Sequence, residues 1–406
     1  MAFLNRPFDE ISKDDLQRLV AAETAEDSTI EFKREVEIDA AGRVRDASRN
    51  DIAREIVAFA NAQGGTLVIG IEESDDDPKR AKSPMPFPNC YDLAERLRRA
   101  VFEIIEPKLP MLHSKAVLTE EDGRGMIVFV VPQSRRAPHR VETLRDCFRR
   151  TGSESRKMTM REIQELTLAV AAGAGNLERR LHSLAESFNA TVLALRAQMD
   201  NSIPHHTFCE IRFSAVPLAD LWLGKIIGKS ELAPVMPSIG YEIFGKRTDF
   251  NYPWGRETRT GHPIVRGHRR TTTAGGRSMV LFDEIHCDGA VTIAAVHLTE
   301  RLYFGWILSQ ISALLCTIDM VRTYAGAPDA EYAVQLEARV SGQRMKLVGE
   351  AGFFDDEYRF RGDQHFPTYS YGTRSERSLI VNEIAQDVVH AAGCQLDLDL
   401  KAEIRC

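Results

Sequence analysis

The sequence predicts an α/β fold, α+β in the broad sense: an N-terminal mixed-sheet domain (1–173), a linking helix (174–204) and a C-terminal α+β domain (205–406) of unknown type. Three observations lead there. Residues 26–73 hold a short alternating strand (EDSTIEFKRE), then a helix, a double glycine and an unbroken apolar strand (REIVAFANAQGGTLVIGIEE). The small-residue stretch AAGAGN (171–176) reads as a boundary. Beyond about residue 206, strand-like pieces such as TFCEIRFSAVPL alternate with long polar loops and one long helix near 300–324.

The elements follow in order. DEISKDDLQRLVAAE reads as a helix with Ser12 as its N-cap. In the strand at 29–36, Thr29, Glu31 and Lys33 share one face and Ile30 and Phe32 the other, because side chains alternate with period two. A helix begins near Asp51, with Ile52, Ile56, Val57 and Ala60 as its buried stripe, and Gly64–Gly65 supplies the tight turn after it. TLVIGI (66–71) fits a central strand covered on both faces. A helix at 91–105, strands at 113–118 and 126–132, a basic loop at 132–140 and a strand at 144–152 come next. A helix over 159–173, capped by Thr159, closes the domain, and the apolar stripe of residues 177–200 belongs to a single connecting helix.

Composition bounds the function. With 406 residues, 43% hydrophobic and 27% charged, the chain is long enough for two or three cores. No apolar run reaches the ~18–20 residues of a membrane span, and MAFLNRPFDE lacks the basic start and apolar block of a signal peptide. Seven cysteines without a CxxC pair argue against a disulfide framework and a structural zinc site, and Cys147 and Cys316 read as core thiols. The expectation is a reduced, cytoplasmic protein with no membrane contact. Net charge is −7, yet residues 133–161 carry nine Lys/Arg against three Asp/Glu, while EESDDD (72–77) is acidic. An acidic pocket beside a basic surface suits a metal-dependent enzyme acting on a polyanion; two solvated loops of opposite sign would look the same.

Glu26, Glu31 and Lys33 carry the sharpest chemistry. A carboxylate pair offers hard oxygen ligands to Mg²⁺ or Mn²⁺, and a lysine two residues on emerges from the same strand face to orient water or neutralise developing charge. Glu72 and Glu73 end the buried strand, where α/β sheets place their sites. Arg135, Arg136, His139, Arg140, Arg149, Arg150 and Lys157 form a basic set suited to phosphate contacts, with Arg150 the strongest candidate. No GxxxxGK[ST] loop occurs, so ATP binding is disfavoured. His205–His206 and Asp355–Asp356 read as ordinary surface pairs.

The order of these blocks resembles the Schlafen AlbA-type domain. E-x-x-x-x-E-F-K is followed by R-E-I-V-A-F-A-N-x-x-G-G-T-L-V-I-G-I-E-E, then VFVVPQSRRAPH (128–139) and FRRTGSESRKMTMREIQEL (148–166). The resemblance spans about residues 18–170, with no match in 205–406. It implies that Glu26, Glu31 and either Glu72 or Glu73, the latter preferred, form a divalent-metal site for cleaving structured RNA. The family usually places aspartate at the third position, and the zinc-binding residues of vertebrate Schlafens have no counterpart here. The resemblance therefore implies a metal-dependent endonuclease acting on RNA such as tRNA or on other nucleic acid, regulated by an effector at the C-terminal domain, with a role in stress or phage defence. Vertebrate relatives pair two such lobes, so a homodimer is expected. A non-catalytic nucleic-acid-binding (DNA-binding) regulator is the alternative, and an ATP-binding switch the third class.

Overall fold

The computed structural model describes residues 7–76, 78–109, 112–196, 208–218, 221–224, 238–243, 245–251, 260–274, 279–341, 345–349, 358–360, 362–395, 397–398 and 400–406. His205–His206 and Asp355–Asp356 lie outside them. The chain divides into two units, Met1–Asn176 and Leu177–Cys406.

In the first unit, helix α1 (Lys13–Ala21) starts where the Asp15 carboxylate accepts hydrogen bonds from the Ser12 N–H (2.9 Å) and hydroxyl (2.8 Å). Strand β1 (Ile30–Lys33) leads to helix α2 (Asp46–Ala60), which begins five residues earlier than its apolar stripe suggests because its first turn is polar and solvated. Next come β2 (Gly65–Ile69), β3 (Ile71–Glu73), β4 (Ala81–Pro84), α3 (Cys90–Glu103), β5 (Ile105–Glu106), β6 (His113–Leu118), β7 (Gly125–Val131), β8 (Arg140–Val141), β9 (Asp146–Thr151) and β10 (Glu154–Lys157). The central sheet has the order β1-β2-β7-β6, with β1 parallel to β2 and the other pairs antiparallel. Strands β10-β9-β8-β5 form a second sheet, and β3 and β4 a ribbon.

Alternation along the strands sets the layers. Ile30, Phe32, Val68 and Val128 face α1 in one apolar cluster, while Leu67, Ile69, Ile127 and Phe129 face α2 and α3 in another. That two-sided burial is why TLVIGI is apolar throughout. The double glycine has two distinct jobs. Gly64 adopts φ +80°, and a Cβ on Gly65 would lie 2.2 Å from the Phe59 ring.

Helix α4 (Met160–Arg196) runs without a break through AAGAGN and across the division at Asn176. The division falls within the expected AAGAGN boundary, but the closing helix (159–173) and the linking helix (174–204) are one continuous helix here. Each mid-helix glycine costs only about 1 kcal/mol, and the intervening alanines are the best helix formers. Thr159 does cap it, donating to the Glu162 carboxylate through both N–H and hydroxyl at 2.9 Å. Residues beyond 177 belong to the second unit's core, where Phe188 and Val192 pack with Val280, Phe282, Ala294 and Val296.

The second unit contains β11 (Phe208–Pro217), β12 (Ser238–Ile243), β13 (Lys246–Asn251), β14 (Thr260–Ile264), β15 (Gly267–Ala274), β16 (Met279–His286), β17 (Val291–Leu298), β18 (Arg301–Tyr303), α5 (Phe304–Tyr324), β19 (Tyr332–Ser341), β20 (Lys346–Val348), β21 (Tyr358–Arg359), β22 (Gln364–Tyr371), α6 (Arg377–Ala391) and β23 (Leu400–Arg405). Its main sheet is seven-stranded and antiparallel, in the order β14-β15-β16-β17-β11-β19-β22. One face packs on α5 and α6, the other on the C-terminal part of α4. Helix α5 is long and apolar enough by length and composition to cross a membrane, where the sequence was expected to hold no such run; 94% of its apolar window is buried within the protein. A second correction concerns Cys316, which is not a thiol but is disulfide-bonded to Cys406, with Cα atoms 5.6 Å apart.

Candidate metal centre

Four local devices bring distant carboxylates together. Before β1, the Asp27 carboxylate accepts hydrogen bonds from the N–H groups of Thr29 (2.6 Å) and Ile30 (3.0 Å), a side-chain turn that folds Glu26 back along the strand. Strand β1 is the edge of its sheet, and the outward N–H of Phe32 donates to Glu26 Oε1 at 3.0 Å. After β2, Gly70 at φ +105° turns the chain out of the sheet, so β3 pairs with β4 instead. The Glu26 N–H donates to the Lys79 carbonyl (2.8 Å), just ahead of β4, and this brings the Glu26 segment beside β3.

One carboxylate oxygen from each of Glu26, Glu31 and Glu73 lies within 4.8 Å of the others. Glu72, on the opposite side of the same short strand, accepts a hydrogen bond from Ser83 Oγ (2.7 Å) and stands 3.7 Å from Arg34. Of the two neighbours, it is Glu73 that stands with Glu26 and Glu31. Glu26 and Glu31 are 5% and 4% exposed, and Glu73 is half-buried.

Behind Glu31 lies a network the sequence reading missed. Lys33 Nζ stands 2.8 Å from Glu31 Oε1, 3.7 Å from Asp51 and 3.9 Å from Glu55. Arg150 Nη2 lies 2.6 Å from Glu31 Oε2, and its Nη1 lies 3.1 Å from Glu55. The guanidinium also donates to the carbonyls of Asp27 and Ile30 and stacks on the Phe59 ring at 5.0 Å. Glu55 carries a readable signal: it falls between Ile52, Ile56 and Phe59 on the buried stripe of α2, where a charge needs a partner.

Burial sets the electrostatics. Desolvation, then repulsion from Glu31 and Glu73, pushes the Glu26 carboxyl up to about 7 despite the Phe32 N–H and Arg150. Desolvation and Glu55 raise Glu31 as well, against Lys33 and Arg150. Burial would raise Glu55, but Lys33, Ser155 and Arg54 outweigh it and hold that carboxyl below its usual range. Lys33 is pushed well above the ordinary lysine range; its desolvation is overcome by Glu31, Asp51 and Glu55. Lys33 is therefore held in its ammonium form.

The basic set divides. Arg150 has a side chain only 1% exposed, and His139 is fully buried, its ring nitrogens 2.6 Å from the Pro107 carbonyl and Ser134 Oγ. Both are corrected from phosphate-contact candidates to internal braces, since neither presents a donor to solvent. Arg136, Arg140, Arg149 and Lys157 are exposed and Arg135 is half-buried. Arg140 pairs with Glu106 and Lys157 with Asp146 (2.6 Å).

Residues 26–159 match the family model described as Schlafen, AlbA_2. This stretch is an AlbA-type Schlafen domain, beginning at the first carboxylate of the triad and ending at the cap of α4. Among solved structures, the N-terminal domain of a RecG-related protein from Nitrosomonas europaea is similar at 20% identity, over 37% of this chain and 95% of that one, with a TM-score of 0.24. No curated protein matches the chain. The domain type points to a nucleic-acid-related function.

Proposed function

We propose that the first unit is a divalent-metal-dependent endonuclease, with RNA of the tRNA type as the favoured substrate and the second unit as its regulator. The observation that carries this reading is the convergence of Glu26, Glu31 and Glu73 within 4.8 Å, beside the ammonium of Lys33. The donor set fits the ion: three carboxylate oxygens are hard ligands of the kind Mg²⁺ and Mn²⁺ take, and mutual repulsion between buried anions is what a cation relieves. A bound divalent ion would supply Lewis acidity and lower the pKa of a coordinated water. The protein's own groups have separate tasks. Lys33, held as the ammonium by Glu31, Asp51 and Glu55, orients Glu31 and offsets negative charge near the triad. Glu26, pushed up to about 7 in the ion-free protein, must give up its proton to take a cation. Arg150 and Glu55 fix Glu31 and Lys33 in place. Arg136 and Arg149 are exposed for phosphate contacts that carry no sequence information.

One observation favours a non-catalytic nucleic-acid-binding regulator: both Glu31 oxygens are already engaged, one by Lys33 and the other by Arg150. Incubation with tRNA and with single- and double-stranded nucleic acid, in Mn²⁺ or EDTA, separates the two. The nuclease reading expects cleavage in Mn²⁺ that is abolished by EDTA and by Glu73→Gln, with binding retained. Binding without cleavage in every condition establishes the regulator.

A further inference from the structure

Lys79 was singled out neither by spacing nor by resemblance, yet it touches two of the three carboxylate residues. Its ammonium ion-pairs with Glu73, and its backbone carbonyl accepts the Glu26 N–H at 2.8 Å. The cations around the triad are unevenly shared. Lys33 and Arg150 both address Glu31, whereas Glu26 has no ion pair among the described residues. Glu73, the ligand that completes the set, is held by Lys79. The Lys79 side chain is 51% exposed, so it can leave Glu73 for water at small cost.

We propose that Lys79 is the resident counter-cation of the triad, holding Glu73 in position and competing with a divalent ion for its carboxylate. Ion entry then exchanges a monovalent ammonium for a multivalent ligand bond, and the released lysine is free to pair with an anionic substrate. This inference rests on the metal reading of the site.

The test is Mn²⁺ binding to the full-length protein, followed by calorimetry. Lys79→Met removes the competitor and is expected to tighten Mn²⁺ binding roughly two- to fivefold, the worth of an exposed ion pair. Lys79→Arg keeps the charge and stays near the wild-type affinity. In the wild type, acylation of Lys79 by an amine-reactive reagent, read by mass spectrometry, is expected to rise with Mn²⁺ and not with Na⁺ at equal ionic strength. Mn²⁺ binding that is unchanged or weaker in Lys79→Met, or acylation indifferent to Mn²⁺, overturns the proposal and leaves the metal reading standing. Absence of Mn²⁺ binding in both wild type and Lys79→Met removes the metal reading as well.

Discussion

The Arg150 guanidinium bridges two buried carboxylates, Glu31 at 2.6 Å and Glu55 at 3.1 Å, and so ties the last sheet of the domain to its first strand and to α2. Removing Arg150 leaves the buried Glu31 and Glu55 short of one cation, with Lys33 and Arg54 still beside them. Arg150→Met is expected to destabilise the protein by about 3–5 kcal/mol, measured as a shift of the urea midpoint of the first unit. Arg150→Lys keeps a charge but cannot fork between two carboxylates and two carbonyls, and falls between.

Its neighbour Arg149 points outward from the same strand. Arg149→Ala is expected to leave stability within about 0.5 kcal/mol and to weaken nucleic-acid binding evenly across sequences. The slope of log affinity against log salt is expected to fall by about one phosphate contact. An unchanged slope would exclude Arg149 from the interface.

Glu26 makes stability depend on pH in a definite direction. Its carboxyl is pushed up to about 7 in the fold, against 4.5 ordinarily, so the fold favours the protonated form. That contribution is full below pH 4.5 and is lost as pH rises through about 7, because between these values the native state binds more protons than the unfolded one. Glu26→Gln keeps an acceptor for the Phe32 N–H and removes the titration. Urea titrations in EDTA from pH 5 to 8 are expected to show the variant gaining on the wild type, reaching about 2 kcal/mol at the upper end.

The Cys316–Cys406 bond closes a separation of 90 residues onto the buried helix α5. Cys406→Ser is expected to lower stability by about 2–4 kcal/mol, chiefly by freeing the unfolded chain. Reductant should lower the wild-type melting temperature and leave the variant's unchanged. Thiol titration of the unreduced, denatured protein is expected to give five free cysteines, against seven after reduction.

Much of the first unit was legible in the sequence because its signals are local. The Glu26–Glu31 spacing, the alternation in IEFK and the glycine-bounded apolar strand each depend on a few adjacent residues. Glu73 was preferred over Glu72 without a physical reason, which came from the ribbon that turns one inward and the other toward Ser83. Arg150 looked like surface because a basic residue in a basic stretch gives no sign of burial until Glu31 and Glu55 are seen beneath it. The second unit resisted for a different reason. Strand β11 pairs with both β17 and β19, far along the chain, and no local pattern specifies such neighbours. The partnership of Cys316 with Cys406 is non-local in the same way.

The hydrogen bond from Phe32 to Glu26 also governs how the protein should be disabled in the laboratory. On this sheet margin Asp27 and Arg150 already hold the Ile30 N–H and carbonyl, and Glu26 closes the Phe32 donor, so truncating Glu26 would leave that donor open to self-association. A turbid or oligomeric Glu26→Ala preparation would then be mistaken for a chemical defect. Glu73, anchored by a single flexible lysine, is the cleaner place for an inactivating change.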